Sequence, residues 1–227
     1  MFDTASERIG TLDDGERRTL VYTAAVANTM VLALLLYALS TGRSPTTFWL
    51  FPAVWITTAT WALVRTSPTS ATFRTKLTAG TIAVGYFLVL AFVGGLFGPS
   101  GEVATGLTVQ FTDLPPGWNP AILYSGSTVQ FAVVPFTALG YATLSYLVYV
   151  TAIEAKNAVA GGVLGLFSCV SCTLPVIASV LGGFVGGGAA LAAAASAQTY
   201  ALGTVVFVIT VGLLSYRPGL GWLRQRL

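Results

Sequence analysis

Apolar positions along the chain gather into six long runs, most of them near the roughly 20 residues an α-helix needs to cross the hydrocarbon of a bilayer. The runs are Leu20 to Thr41, Thr47 to Val64 and Leu77 to Phe97, one within Ala121 to Thr151, one from Ala158 to about Gly182, and one within Ala189 to Leu214. Each is expected to be a transmembrane helix. Pro52 falls near the start of the second run, where a helix tolerates proline, and Pro135 inside the fourth is expected to kink it. The fold class is therefore all-α: a polytopic integral membrane bundle of six helices.

Polar stretches between the runs set the domain organisation. Residues 1–19 form a polar segment with Asp3, Glu7, Asp13, Asp14 and Glu16 and lack the basic start and apolar centre of a cleavable signal peptide, so the first run is expected to be retained. Residues 20–215 are the six-helix domain and 216–227 a basic tail. The longest connection, Gly98 to Asn119, carries Glu102 and Asp113 and no Lys or Arg. Its Thr108 to Thr112 stretch reads as extended, and Pro115, Pro116 and Pro120 keep the surroundings of Trp118 non-helical. This loop is either a rim that meets an outside partner or an interfacial loop anchored by Trp118. The glycine-rich Gly182 to Gly188 reads as a hairpin or as a re-entrant segment.

Lys and Arg are retained on the cytoplasmic side of a membrane. With the N-terminus inside, Arg8, Arg17, Arg18, Arg65, Arg74, Lys76, Lys156, Arg217, Arg224 and Arg226 fall on the inner segments and only Arg43 falls outside. That asymmetry implies an even number of spans with both termini in the cytoplasm of a cell-membrane protein.

Composition agrees with the runs. Of 227 residues 55% are hydrophobic and 8% charged, against about 25% charged in a soluble domain. The net charge of +3 lies in short loops rather than on one exposed face, so no nucleic-acid partner is expected; the lipid bilayer is.

The chemistry available is narrow. The chain has no His, which excludes His-ligated haem, His-based metal sites and a Ser-His-Asp triad. No acidic or basic residue lies well inside a run, and no phosphate-binding glycine loop is present, so neither a proton relay nor an intrinsic ATPase is expected. One constellation remains: Ser168-Cys169-Val170-Ser171-Cys172-Thr173-Leu174-Pro175. The only two cysteines are three residues apart, a spacing that places both sulfurs on one face of a helix, with Ser168 and Ser171 beside them. Pro175 would leave the Ser171 carbonyl without its helical donor. Such a pair either cycles between dithiol and disulfide or holds a soft ion such as copper in its cuprous state. A disulfide within a regular helix is geometrically poor, which favours the metal; simple packing of two small apolar side chains is the competing reading. Gly161 with Gly165, and Gly183 with Gly187, have the spacing that lets helices approach closely. Tyr141, Tyr146, Tyr149 and Tyr200 beside Gln198 line a polar path, hydrogen-bond between helices or sit at the membrane interface.

The stretch Ser168 to Pro175 resembles the membrane thiol-electron carriers of the cytochrome-c-biogenesis type, where a cysteine is followed closely by Leu-Pro. It also resembles the small mercuric-ion transport proteins, with paired cysteines near a proline. The carriers place their reactive cysteines on two separate helices and the mercuric proteins add a second pair; neither feature is present here. The overall layout is similar to small haloarchaeal polytopic membrane proteins associated with respiratory-oxidase gene surroundings, which implies copper handling or an assembly role. The expected function is non-enzymatic: soft-metal binding or thiol exchange by Cys169 and Cys172 in support of respiratory-complex assembly. The alternative is an accessory or scaffolding subunit that packs against other membrane subunits, or the membrane partner of a separate transport ATPase.

Overall fold

The computed structural model describes residues 13–99, 106–111, 114–157 and 189–216. They build five helices, α1 (Asp14–Thr41), α2 (Thr47–Arg65), α3 (Phe73–Val93), α4 (Pro135–Asn157) and α5 (Ala189–Tyr216), and four strands, β1 (Phe97–Pro99), β2 (Gly106–Gln110), β3 (Ala121–Ser125) and β4 (Val129–Val133).

Helix α1 starts six residues before the first apolar run. The carboxylate of Asp13 accepts from the Asp14 amide at 3.0 Å, and Asp14 and Glu16 place negative charge on the positive end of the helix. The helix ends at Gly42, whose left-handed φ of 65° turns its amide back onto the Ala38 carbonyl. Helix α3 stops at Val93, although the apolar run continues to Phe97. Gly95 takes φ of 77°, its amide bonds the Phe92 carbonyl at 3.2 Å, and the Leu96 amide bonds Ala91 at 2.8 Å; this pair of bonds closes a helix in a Schellman motif. Pro52 stands in the second turn of α2 rather than the first, inside the helix.

The fourth run departs most from its expectation. Ala121 to Val133 is a β-hairpin and not the opening turns of a helix, so the fold is not all-α. The sheet is antiparallel in the order β1-β4-β3-β2, with Phe97 opposite Phe131, Tyr124 opposite Phe131 and Leu107 opposite Tyr124. Gly126, Ser127 and Thr128 make the turn, and the Gly126 amide donates to the Val129 carbonyl at 2.9 Å. Pro135 does not kink α4; it opens it. At the first helical position proline loses nothing, because that amide has no helical acceptor, and the Val134 carbonyl takes the first bond from Ala138.

Ring contacts fix how the helices run. Tyr37 near the end of α1 meets Trp49 near the start of α2, with centroids 4.9 Å apart. Trp55 meets Phe136 while Tyr146 donates to the Thr66 carbonyl at 3.1 Å, so α2 and α4 run parallel. Gly94 meets Tyr141 whereas Ala83 lies by Tyr149, so α3 and α4 run antiparallel. The first four helices therefore alternate. The sheet, between α3 and α4, stands at the end of the bundle that also holds Arg43, whereas Arg17, Arg18, Arg65, Arg74, Lys76 and Lys156 stand at the other. At that basic end Arg18 covers the Tyr22 ring and Arg65 the Trp61 ring, the pairing of cation and amphipathic ring usual at a membrane surface.

Asp14–Thr41, Thr47–Arg65, Phe73–Val93 and Pro135–Glu154 are long and apolar enough to cross a membrane, and α5 adds the shorter apolar stretch Gly203–Ser215. Their outward faces are apolar, as at Leu36, Leu39, Leu77 and Val84. Surfaces of this kind belong to a helical membrane protein.

Candidate functional site

Cys169 and Cys172, with Ser168, Ser171 and Pro175, lie outside the described residues, between the end of α4 at Asn157 and the start of α5 at Ala189. So do the fifth run, Gly161, Gly165, Gly183 and Gly187, and the Gly182 to Gly188 stretch. Gln198 and Tyr200 belong to the α5 backbone.

The described helices converge on an aromatic centre. Trp55 is 7% exposed, stacks on Phe207 with centroids 4.2 Å apart and planes 2° from parallel, and meets Phe136 and Tyr141 edge-on. Its indole N–H donates to the Thr204 hydroxyl at 2.9 Å, which ties α2 to α5 through a buried hydrogen bond. Gly140 makes the stack possible, since a Cβ there would overlap the Trp55 ring. Ala59 and Ala62, both fully buried, continue the same face of α2.

Toward the sheet the centre is closed by the segment before β3. Trp118 lies on Phe48 at 4.0 Å with planes 15° apart and touches Phe136 edge-on at 4.7 Å. It is 6% exposed, so it caps the bundle from outside instead of anchoring a loop in the membrane surface. The adjoining Gly117 has φ of 95° and faces Pro52 so closely that no side chain would fit there. Asn119 holds the loop by donating to the Leu114 carbonyl at 3.1 Å. Its rings are held by stacking, and the hydrogen bond from Trp55 to Thr204 joins two helices, so the centre is a packing node.

Tyr141, Tyr146 and Tyr149 are engaged in packing and in bonding between helices. Tyr146 bonds across helices to the Thr66 carbonyl and stacks on Tyr149 with centroids 6.5 Å apart, and Tyr141 packs on Trp55 and Gly94. Between α3 and α4, Tyr146 and Tyr149 border an open apolar groove of about 260 Å³ with Ala83, Val84, Phe87, Ala142 and Ser145. The Ser145 hydroxyl is turned back onto the Tyr141 carbonyl at 2.8 Å, which leaves the groove apolar. Among the described residues no three of His, Cys, Asp and Glu come together as a metal site. The Trp55–Thr204 bond joins residues 149 apart in no motif, and only their placement reveals it.

No curated protein and no solved structure matches the chain. Residues 3–221 match a family of unknown function, DUF7546, and the chain belongs to that family.

Proposed function

We propose that this is a non-enzymatic membrane protein whose Cys169 and Cys172 bind a soft metal ion, copper above all, or exchange electrons as a dithiol, during the assembly of a respiratory complex. One observation carries the reading: the only two cysteines of the chain stand three residues apart and three before a proline. Two thiolates on one helix face suit a cuprous ion, which accepts two soft ligands in near-linear geometry. As a dithiol, the pair would give up two electrons and two protons in forming a disulfide, with a partner thiol–disulfide couple as the acceptor.

The proposed setting is a cell-membrane bundle of six spans with both termini in the cytoplasm. Support comes from the distribution of charge: six basic residues at one end of the described bundle against Arg43 at the other. A run from Ala158 to about Gly182 that crosses once puts the cysteines near mid-bilayer.

The test is metal analysis and thiol titration of the purified protein and of Cys169→Ser/Cys172→Ser. The expected result is copper bound by the natural chain, or a reducible disulfide in it, and neither in the variant. Identical metal content and identical function in cells would sink the reading.

A second reading rests on α1. Among the described residues this helix packs principally on α2, and Thr19 alone of its residues is buried. A helix so placed suits an accessory or scaffolding subunit, or the membrane partner of a separate transport ATPase. Purification as a solitary monomer without a partner would count against it.

A further inference from the structure

The small sheet leaves an apolar face open, with Thr108 and Gln130 of its opposite face exposed as well. Its register puts Phe97, Phe131, Tyr124 and Leu107 in one cross-strand row, and Val133, Ile122 and Val109 in the next row on the same face. The opposite face carries Gly98, Gln130, Ser125 and Gly106, then Ala132, Leu123 and Thr108. An antiparallel sheet with one wet side normally packs its apolar face inward and shows the polar one. Here the alternation in β3 is reversed: Ile122 and Tyr124 are exposed, while Ala121, Leu123 and Ser125 are half-buried. Leu107 is 69% exposed and Phe111, just past β2, 78%.

We infer that this aromatic face lies on the outer surface of the bilayer, so that the sheet is an in-plane wing resting on lipid. Three observations select lipid as the occupant. First, the face continues the membrane-facing surface of α3: Phe92, half-exposed at the end of that helix, touches Phe97 at 5.8 Å, Phe97 meets Phe131 at 6.3 Å, and Phe131 meets Tyr124 at 5.8 Å. The rings form one ladder from the helix onto the sheet. Second, neither cross-strand row of this face, Phe97-Phe131-Tyr124-Leu107 or Val133-Ile122-Val109, carries a charged side chain, so the rows themselves offer a charged protein partner nothing to pair with. Aromatic and aliphatic groups together suit the boundary between headgroups and chains. Third, β1 and β2 are edge strands whose outer amides and carbonyls need water. That excludes the hydrocarbon core and sets the wing at headgroup depth, with the apolar side chains pointing into the acyl region.

The wing replaces Trp118 as the interfacial anchor. Trp118 is consumed in capping the bundle, and the face built by β1 to β4 does what a lone tryptophan was expected to do.

The experiment places p-benzoylphenylalanine, one site at a time, at Leu107, Tyr124, Thr108 and Gln130 of the full chain. Each protein is reconstituted in vesicles of phosphatidylcholine and phosphatidylglycerol without other proteins, irradiated, and its adducts are identified by mass spectrometry. Lipid adducts at Leu107 and Tyr124 are expected to exceed those at Thr108 and Gln130 by about fivefold or more, the contrast of a face immersed in acyl chains with one facing water. Equal yields on the two faces, or no lipid adduct at Leu107 and Tyr124, overturn the inference. Adducts from chain to chain at those two sites overturn it as well, and assign the face to a second copy.

Discussion

At Gly140 a single missing carbon decides how close three helices come. The Trp55 ring edge lies where a Cβ would be, and Phe207, stacked on that ring, comes within 3.3 Å of the same point, so one hydrogen atom on α4 sets the position of α2 and α5 together. Gly140→Ala is therefore expected to cost about 1 to 3 kcal/mol, the range for overpacking a core, read as a lower thermal midpoint in lipid or mild detergent. An unchanged midpoint would mean that the stack relaxes freely. The bond from Trp55 to Thr204 makes a separate expectation. A double-mutant cycle with Trp55→Phe and Thr204→Val is expected to give a coupling of about 0.6 kcal/mol and at most about 1.7, the span of interhelical hydrogen bonds within membranes. A coupling near zero would assign the hydroxyl to solvent or to its own helix. These residues were illegible in the sequence for a physical reason. Small-xxx-small spacing finds glycines that repeat along one helix, and Gly140 matters through contact with two others. Trp118 misleads in the opposite direction, because a tryptophan in a loop beside apolar runs reads as a membrane anchor until Phe48 and Phe136 are seen around it.

Element boundaries were read well wherever hydropathy and helix chemistry coincide. The second run ends one residue before α2 does, and the sixth starts where α5 starts. The third run overshoots because Leu96 and Phe97 are as apolar as the helix before them; Gly94-Gly95 was the stop signal that hydropathy does not weigh. The fourth run fails for a deeper reason. In water, a hairpin with one wet face alternates between apolar and polar; here Ala121 to Val133 has apolar residues on the outer face and small ones such as Ala121 and Ala132 on the inner face, so alternation is blurred into a continuous run. The remaining local signals were Gly126-Ser127 as a turn and Pro135 as a helix start. They make an expectation at this scale. Pro135→Ala should leave stability unchanged or lower it by up to about 1 kcal/mol, since proline at that position only restricts the unfolded chain. Were Pro135 inside a continuous helix, the same change would relieve a penalty of about 3 kcal/mol and raise the thermal midpoint. The sign of the shift separates the two.

For the whole molecule, the decisive quantity is the side on which the chain emerges after α5. The alternation of α1 to α4 puts the sheet and Arg43 at one end and the remaining described basic residues at the other, so the end with the sheet is the outer one if Lys and Arg stay inside. Helix α4 then finishes at the cytoplasmic end. Residues 158–188 either cross once, making six spans and returning the tail to the cytoplasm, or come back to the side they left, making five and placing Arg217, Arg224 and Arg226 outside. The tail's three arginines favour the crossing. Single cysteines at Ser44, Ser70 and Gln225, in a Cys169→Ser/Cys172→Ser background, distinguish the cases with a membrane-impermeant maleimide applied to intact cells. Ser44→Cys, beside Arg43, is expected to label directly, and Ser70→Cys, between α2 and α3, only after permeabilisation. Gln225→Cys is expected to behave like Ser70→Cys. Labelling of Gln225→Cys on intact cells would reduce the spans to an odd number and would take the thiol pair away from mid-bilayer. The proposed cuprous site would then have to be met from the cytoplasmic surface rather than along a membrane path.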